Sequence, residues 1–172
     1  MTQGPAFVSV EEYLNTTYRP DRDYVAGELI ERNVGEYDHA RLQTLAAARF
    51  FTRESEWRVR ATIALRVQIG PDRIRVPDLC VIRRGAEEQV VTRPPVLCIE
   101  ILSKDDTARA LEERIQDYLQ FGVPTVWLID PKTRRAFIHT PDGRRQEPAD
   151  GLLRAVNPGF PDIEIALSSL FE

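Results

Sequence analysis

The sequence predicts an α/β protein with a mixed central sheet, in which an antiparallel meander feeds a parallel βαβ unit, flanked by helices. Three observations lead there. The apolar run PPVLCIEIL is followed by a helical stripe and then by the all-apolar run TVWLI; strand, helix and buried strand in that order form a βαβ unit with a right-handed crossover. The preceding run IRVPDLCVI is a second strand candidate, and one antiparallel register sets Cys80 opposite Cys98 and Asp78 opposite Glu100, because both pairs of numbers have the same sum. Residues 57–69 alternate, with Trp57, Val59, Ala61, Ile63, Leu65, Val67 and Ile69 on one side, the pattern of a long half-exposed strand.

The elements follow in order. Residues 8–15 read as a short helix with Ser9 as N-cap and Glu12 three positions on, a capping box. YVAGELIERN, 24–33, reads as one or two short strands around Gly27. The spacing of His39, Leu42, Ala46 and Phe50 predicts a helix over 37–52. After the strand at 57–69, Gly70, Pro71 and Asp72 turn the chain into a strand over 73–82. A polar loop leads to the strand at 96–102. The next helix, 107–121, carries Leu111, Ile115, Tyr118 and Leu119 on one stripe and stops at Gly122, with Pro124 beyond it. The strand at 125–129 turns at Asp130-Pro131 into a hairpin partner over 135–140. The tail holds turns, a short strand at 163–165 and a short terminal helix.

A chain of 172 residues suits one domain, 1–172. Apolar content of 42% and charged content of 29% are those of an ordinary soluble globular protein. A net charge of −4 argues against a general nucleic-acid coat, although arginines such as Arg58, Arg60, Arg66, Arg73 and Arg75 leave a local basic groove open. The N-terminal stretch has no basic region followed by an apolar core, so no signal peptide is expected, and no apolar run approaches a membrane span. Cys80 and Cys98 read as reduced, buried small hydrophobes of a cytoplasmic protein; structural zinc needs more ligands than they offer.

Asp78 and Glu100 are lone carboxylates inside apolar runs. A buried carboxylate is costly unless it is paired, protonated or on a metal. Two of them meeting on one sheet face repel unless a cation sits between them, and a hard divalent ion held by oxygens is one such cation. A backbone carbonyl such as that of Ile101 is a third ligand candidate, with waters completing the shell; a water there serves as nucleophile for phosphodiester hydrolysis. Two plainer alternatives stay open. Asp78 follows Pro77, which gives no hydrogen bond, and could accept backbone donors at a strand irregularity. Glu100 could pair with one of the arginines.

VPDLCVI, PPVLCIEILSKDDT, YLQFGVPTVWLIDP and GELIER with a downstream helical His resemble the Uma-type restriction endonuclease family of the PD-(D/E)XK nuclease superfamily. The likeness runs from Tyr24 to the terminal helix; IEILS and GVPTVWLIDP are specific to the family, and PD alone is weak. It implies a restriction-endonuclease-like fold and a metal-dependent DNA endonuclease, with Mg²⁺ or Mn²⁺ on Asp78 and Glu100. The superfamily pattern has Lys two residues after the strand acid, where this chain has Leu102. The replacements are Lys104 and Arg114, the latter four residues before Tyr118 where many relatives carry Lys. Arg stabilises a phosphate but does not readily give up a proton. The plainer alternatives are a surface role for Lys104 and an ion pair with Glu113 or Asp117 for Arg114. The resemblance also makes His39 and Glu36 site candidates, His39 as a possible catalytic group and Glu36 as a possible metal ligand; otherwise His39 is a satisfied core or edge histidine and Glu36 a first-turn acid favourable to the helix dipole. Trp127 and Tyr118 read as core, and His139 has no assigned role. A homodimer follows from the resemblance alone. The competing reading is a catalytically degenerate member of the fold, acting as a nucleic-acid-binding or oligomerising module, as Leu102 and the acidic balance suggest.

Overall fold

Three sheets organise the chain, and the computed structural model describes residues 7–32 and 35–172. Ser9 caps helix α1, Val10–Leu14, by accepting from the Glu12 N–H. Strands β1 (Arg22–Val25) and β2 (Glu28–Glu31) make a hairpin around Ala26 and Gly27, whose φ angles are 49° and 90°. Two consecutive positive φ values belong to a tight hairpin turn and favour glycine. The segment expected at 24–33 is thus two strands; its last residue, Asn33, lies outside the described residues. Strand β1 also pairs with β5 (Arg73–Arg75), and β5 with β4 (Val67–Gly70), giving an antiparallel sheet in the order β2-β1-β5-β4.

The strand predicted over 57–69 is corrected twice. Helix α2 runs Tyr37–Trp57, past its expected end at Thr52. Trp57 closes it because the ring is fully buried 5.4 Å from that of Phe50, with the Arg53 guanidinium 4.2 Å over its face. Arg58 then takes a left-handed φ of 56° and stops the helix. Strand β3 (Val59–Ile63) follows, Ala64 breaks it with a φ of 51°, and the remainder enters β4 of the other sheet. The alternation persists because two half-buried strands and a buried helix end happen to stay in phase. The strand expected at 73–82 also divides, into β5 and β6 (Leu79–Arg83), with Val76, Pro77 and Asp78 between them. Pro77 has no N–H for a ladder, so the pairing stops there.

The central sheet has the order β10-β9-β8-β7-β6-β3. Strand β6 pairs antiparallel with β7 (Leu97–Ile101), and Cys80 lies opposite Cys98 as the register argument expects. Strand β7 pairs in parallel with β8 (Val126–Asp130) across the connecting helix α3, Ala108–Phe121. Thr107 caps α3 by accepting from Ala110 N–H, and Gly122, at φ 109°, ends it. Strand β9 (Arg135–Thr140) returns as the expected hairpin partner. Strands β10 (Gly143–Glu147) and β11 (Leu152–Ala155) are additional to the sequence reading; β10 is GRRQE, largely exposed, and shows no apolar alternation. Strand β11 pairs with β12 (Ile163–Ala166), and a 3₁₀ turn at Leu167–Leu170 stands where the terminal helix was expected.

The two-residue period of β7 decides where chemistry can occur. Leu97, Ile99 and Ile101 join the cluster built on Leu42, Ala46 and Phe50 of α2, while Cys98 and Leu102 pack with Leu111, Ile115 and Tyr118 of α3. Glu100 therefore faces α3. No described helix is long and apolar enough to cross a membrane.

Candidate active site

Asp78 stands where the chain passes from the four-stranded sheet to the central one. Continuing the β6–β7 register sets it opposite Glu100. Its Oδ2 accepts from the Ile101 N–H at 2.7 Å and lies 3.4 Å from His39 Nε2. Its backbone carbonyl accepts from Gln43 Nε2 at 2.9 Å, so α2 grips the residue twice. Its Oδ1 accepts from Arg32 Nη2 at 2.8 Å. The same nitrogen lies 3.7 Å from Glu100 Oε2. Both carboxylates thus turn to one side of the sheet. Glu100 is 1% exposed; its Oε1 accepts from the Tyr118 hydroxyl at 2.7 Å, and its Oε2 has no hydrogen-bond partner among the described residues.

A third buried acid, Asp23 of β1, adjoins this pair. Its Oδ1 accepts from the Val76 N–H at 2.9 Å and lies 3.5 Å from Arg32 Nη1; its Oδ2 accepts from Arg75 Nη1 at 3.1 Å. Arg32 therefore touches three carboxylates.

The acid pair is electrostatically split. Burial pushes the Asp78 carboxyl up, but the His39 bond, the Arg32 charge and the Ile101 N–H outweigh it and leave it below the usual range. Burial raises Glu100 above the carboxylate range, against the charges of Arg114 and Arg32. His39 is raised by its bond to Asp78, against burial, whereas burial lowers His139. A raised His39 adds stability that is full below its unfolded pKa of about 6.5 and is lost as pH climbs through the folded value; His139 adds stability above that range and loses it as pH falls. The chain has 2 histidines, which permits a direct check. An imidazole NMR titration is expected to give one pKa above and one below the ordinary range, and Asp78→Asn to bring down the higher one only. Two superimposed curves would contradict this arrangement.

The expected residues divide into two groups. Asp78, Glu100, His39 and the backbone of Ile101 meet at one place. Arg114 lies beside them, close enough for its charge to act on Glu100; its Nη2 pairs with Asp106 Oδ1 at 2.8 Å rather than with Glu113 or Asp117. Its buried Nε has no hydrogen-bond partner among the described residues. Lys104 and Glu36 instead pair with each other at 2.6 Å on the surface, each more than half exposed. Glu36 is the N-cap residue of α2, and its side chain makes no cap bond. Arg32, Asp23 and Gln43 were missed. The acid pair's need for a counter-cation was the signal for Arg32, but the sequence does not say which of many arginines supplies it.

Two carboxylates and a backbone carbonyl are a donor set that suits Mg²⁺, which binds through one or two carboxylates and keeps several waters. The unpartnered Glu100 Oε2 fits such an ion. Among the described residues, no group of three or more His, Cys, Asp or Glu side chains is gathered as a metal site, so any ion here would depend on that smaller set.

The sequence pattern of the Uma2 family, described as "putative restriction endonuclease", matches residues 10–168. The fold matches a crystal structure described as a putative nuclease belonging to DUF820 from Anabaena variabilis ATCC 29413, with a TM-score of 0.81 and 24% identity, over 95% of this chain and 97% of that one. That likeness is one of fold, and the mixed α/β architecture expected from the sequence stands. No curated protein matches.

Proposed function

Because this chain belongs to the Uma2 family, we propose that it is a metal-dependent endonuclease that hydrolyses DNA phosphodiester bonds. The observation that carries the reading is the convergence of Asp78 and Glu100 on one cation position, 2.8 and 3.7 Å from a single nitrogen. In this reading Asp78, Glu100 and the Ile101 carbonyl hold Mg²⁺ or Mn²⁺. The ion supplies positive charge to the scissile phosphate and lowers the pKa of water. Tyr118 orients Glu100 through its hydroxyl, and Gln43 and His39 fix Asp78. Arg114, already desolvated beside Glu100, contributes charge to the phosphate but no proton. Lys104 and Glu36 form a surface pair at the N-terminal end of α2, where the lysine can meet the DNA backbone. We further propose that residues 1–172 act as one unit, as a homodimer that cuts both strands, in the reducing cytoplasm that suits the buried free thiols Cys80 and Cys98.

The test is cleavage of supercoiled plasmid with Mg²⁺ or Mn²⁺, stopped by a chelator, together with a thermal melt. Ion at a hundred times its dissociation constant adds ~2.7 kcal/mol, and Glu100→Gln is expected to remove that gain. Arg32 at the cation position gives the second reading its own support: a non-catalytic module whose acid pair is neutralised internally. That reading expects neither cleavage nor a metal-dependent rise in melting temperature.

A further inference from the structure

We infer that Arg32 is the resident counter-ion of the acid pair and sets how tightly a divalent ion binds, because the ion enters only as the guanidinium leaves. The inference rests on the proposed reading of Asp78 and Glu100 as ion ligands. Arg32 Nη2 lies 2.8 Å from Asp78 Oδ1 and 3.7 Å from Glu100 Oε2, and Nη1 lies 3.5 Å from Asp23 Oδ1. An ion drawing one oxygen from each of Asp78 and Glu100 at about 2.0–2.1 Å needs the space this nitrogen fills. Two cations sharing the same two carboxylates would also repel each other at short range in a poorly solvated place. Occupancy by the guanidinium and by the ion is therefore mutually exclusive.

Arg32 also has somewhere to go. Its side chain is 14% exposed, against 3% for Arg75 in the same network. It borders a cleft of about 210 Å³ whose lining also includes Asp105, Asp106, Glu113 and Arg114. A displaced guanidinium finds carboxylates there rather than bare apolar walls. From that cleft its fork of N–H groups can meet a substrate phosphate, which supplies the positive charge absent at Leu102. Arg32 is thus an affinity-determining residue for the ion as well as a hydrogen-bond donor to the phosphate once released.

The experiment is a Mn²⁺ titration of the full chain, free ion being read by electron paramagnetic resonance, for wild type, Arg32→Gln, Arg32→Lys and Glu100→Gln. Arg32→Gln is expected to bind at least about tenfold more tightly than wild type, since the competing closed state is gone. Arg32→Lys is expected to fall between them, and Glu100→Gln to lose binding. Arg32→Gln affinity equal to or weaker than wild type overturns the inference. Should that variant lack a cooperative melt, the wild type decides alone. Saturating Mg²⁺ is expected to shift the Arg32 Nε–Hε resonance and leave that of Arg75 in place, and an unmoved Arg32 signal overturns the inference. The two readings separate cleanly. Wild-type cleavage without any gain in Arg32→Gln sinks the counter-ion role and spares the nuclease. Tight Mn²⁺ binding by Arg32→Gln, with cleavage by neither protein, does the reverse.

Discussion

Asp78→Asn is expected to lose metal-dependent cleavage by more than about 100-fold while the protein still melts cooperatively. Substitutions in the outer shell of a metal site cost about 10–100-fold, and a direct ligand should cost more. Asparagine keeps an amide oxygen for the Ile101 N–H, the 2.7 Å bond that ties the residue to β7. It removes the charge faced by Arg32 and His39. Asp78→Ala is a poorer probe, because it strands both the Ile101 donor and a partly buried guanidinium; breaking such a pair costs about 3–5 kcal/mol. Single-turnover cleavage and a calorimetric melt on the same preparation separate the two effects. Wild-type cleavage by Asp78→Asn would end the proposal that this acid holds the ion.

Arg75→Ala is expected to cause the largest loss of stability. Its side chain is 3% exposed and joins three acids from two elements: Nη1 to Asp23 Oδ2 at 3.1 Å, Nη2 to Asp117 Oδ2 at 2.6 Å and Nη2 to Glu113 Oε1 at 3.3 Å. Removing one partner of a buried pair costs about 3–5 kcal/mol because the remaining charge is uncompensated. For a chain of this length that lowers the melting temperature by about 6–20 °C. Arg75→Lys should recover only part, since an ammonium cannot serve Asp23 and Asp117 through a planar fork. A drop of less than about 1 kcal/mol by calorimetry would mean that water replaces the guanidinium, as at an exposed pair.

Much of the fold was legible because it is encoded locally. Leu111, Ile115 and Tyr118 form the buried stripe of α3 as their spacing requires. TVWLI is buried throughout because β8 lies between β7 and β9 with helix or sheet on each face. The pairing of Cys80 with Cys98 followed from two numbers and one assumption about direction. Alternation misled at 57–69, because a period of two cannot register a left-handed residue. Arg58 and Ala64 each turn the chain without breaking the apolar rhythm. At the site, the two acids and His39 stood out as polar groups in apolar surroundings. Arg32 did not. It lies 46 residues from Asp78 in sequence, at the end of a largely exposed hairpin, and nothing near it marks a buried partner. Asp23 was hidden in the same way, since the Val76 N–H and the Arg75 guanidinium that hold it lie 53 and 52 residues away in sequence. Lys104 and Glu36, by contrast, looked available in sequence and found each other in space.

The passage from β5 to β6, out of the four-stranded sheet and into the central one, spans just Val76, Pro77 and Asp78. Such a short splice has no slack. One residue inserted or deleted there would turn Asp78 toward the opposite face or shift all of β6 against β7, where register and facing are locked together. Length changes should be borne easily at the exposed tip between β9 and β10 and hardly at all at this join, so random insertion libraries should come back empty across 76–78.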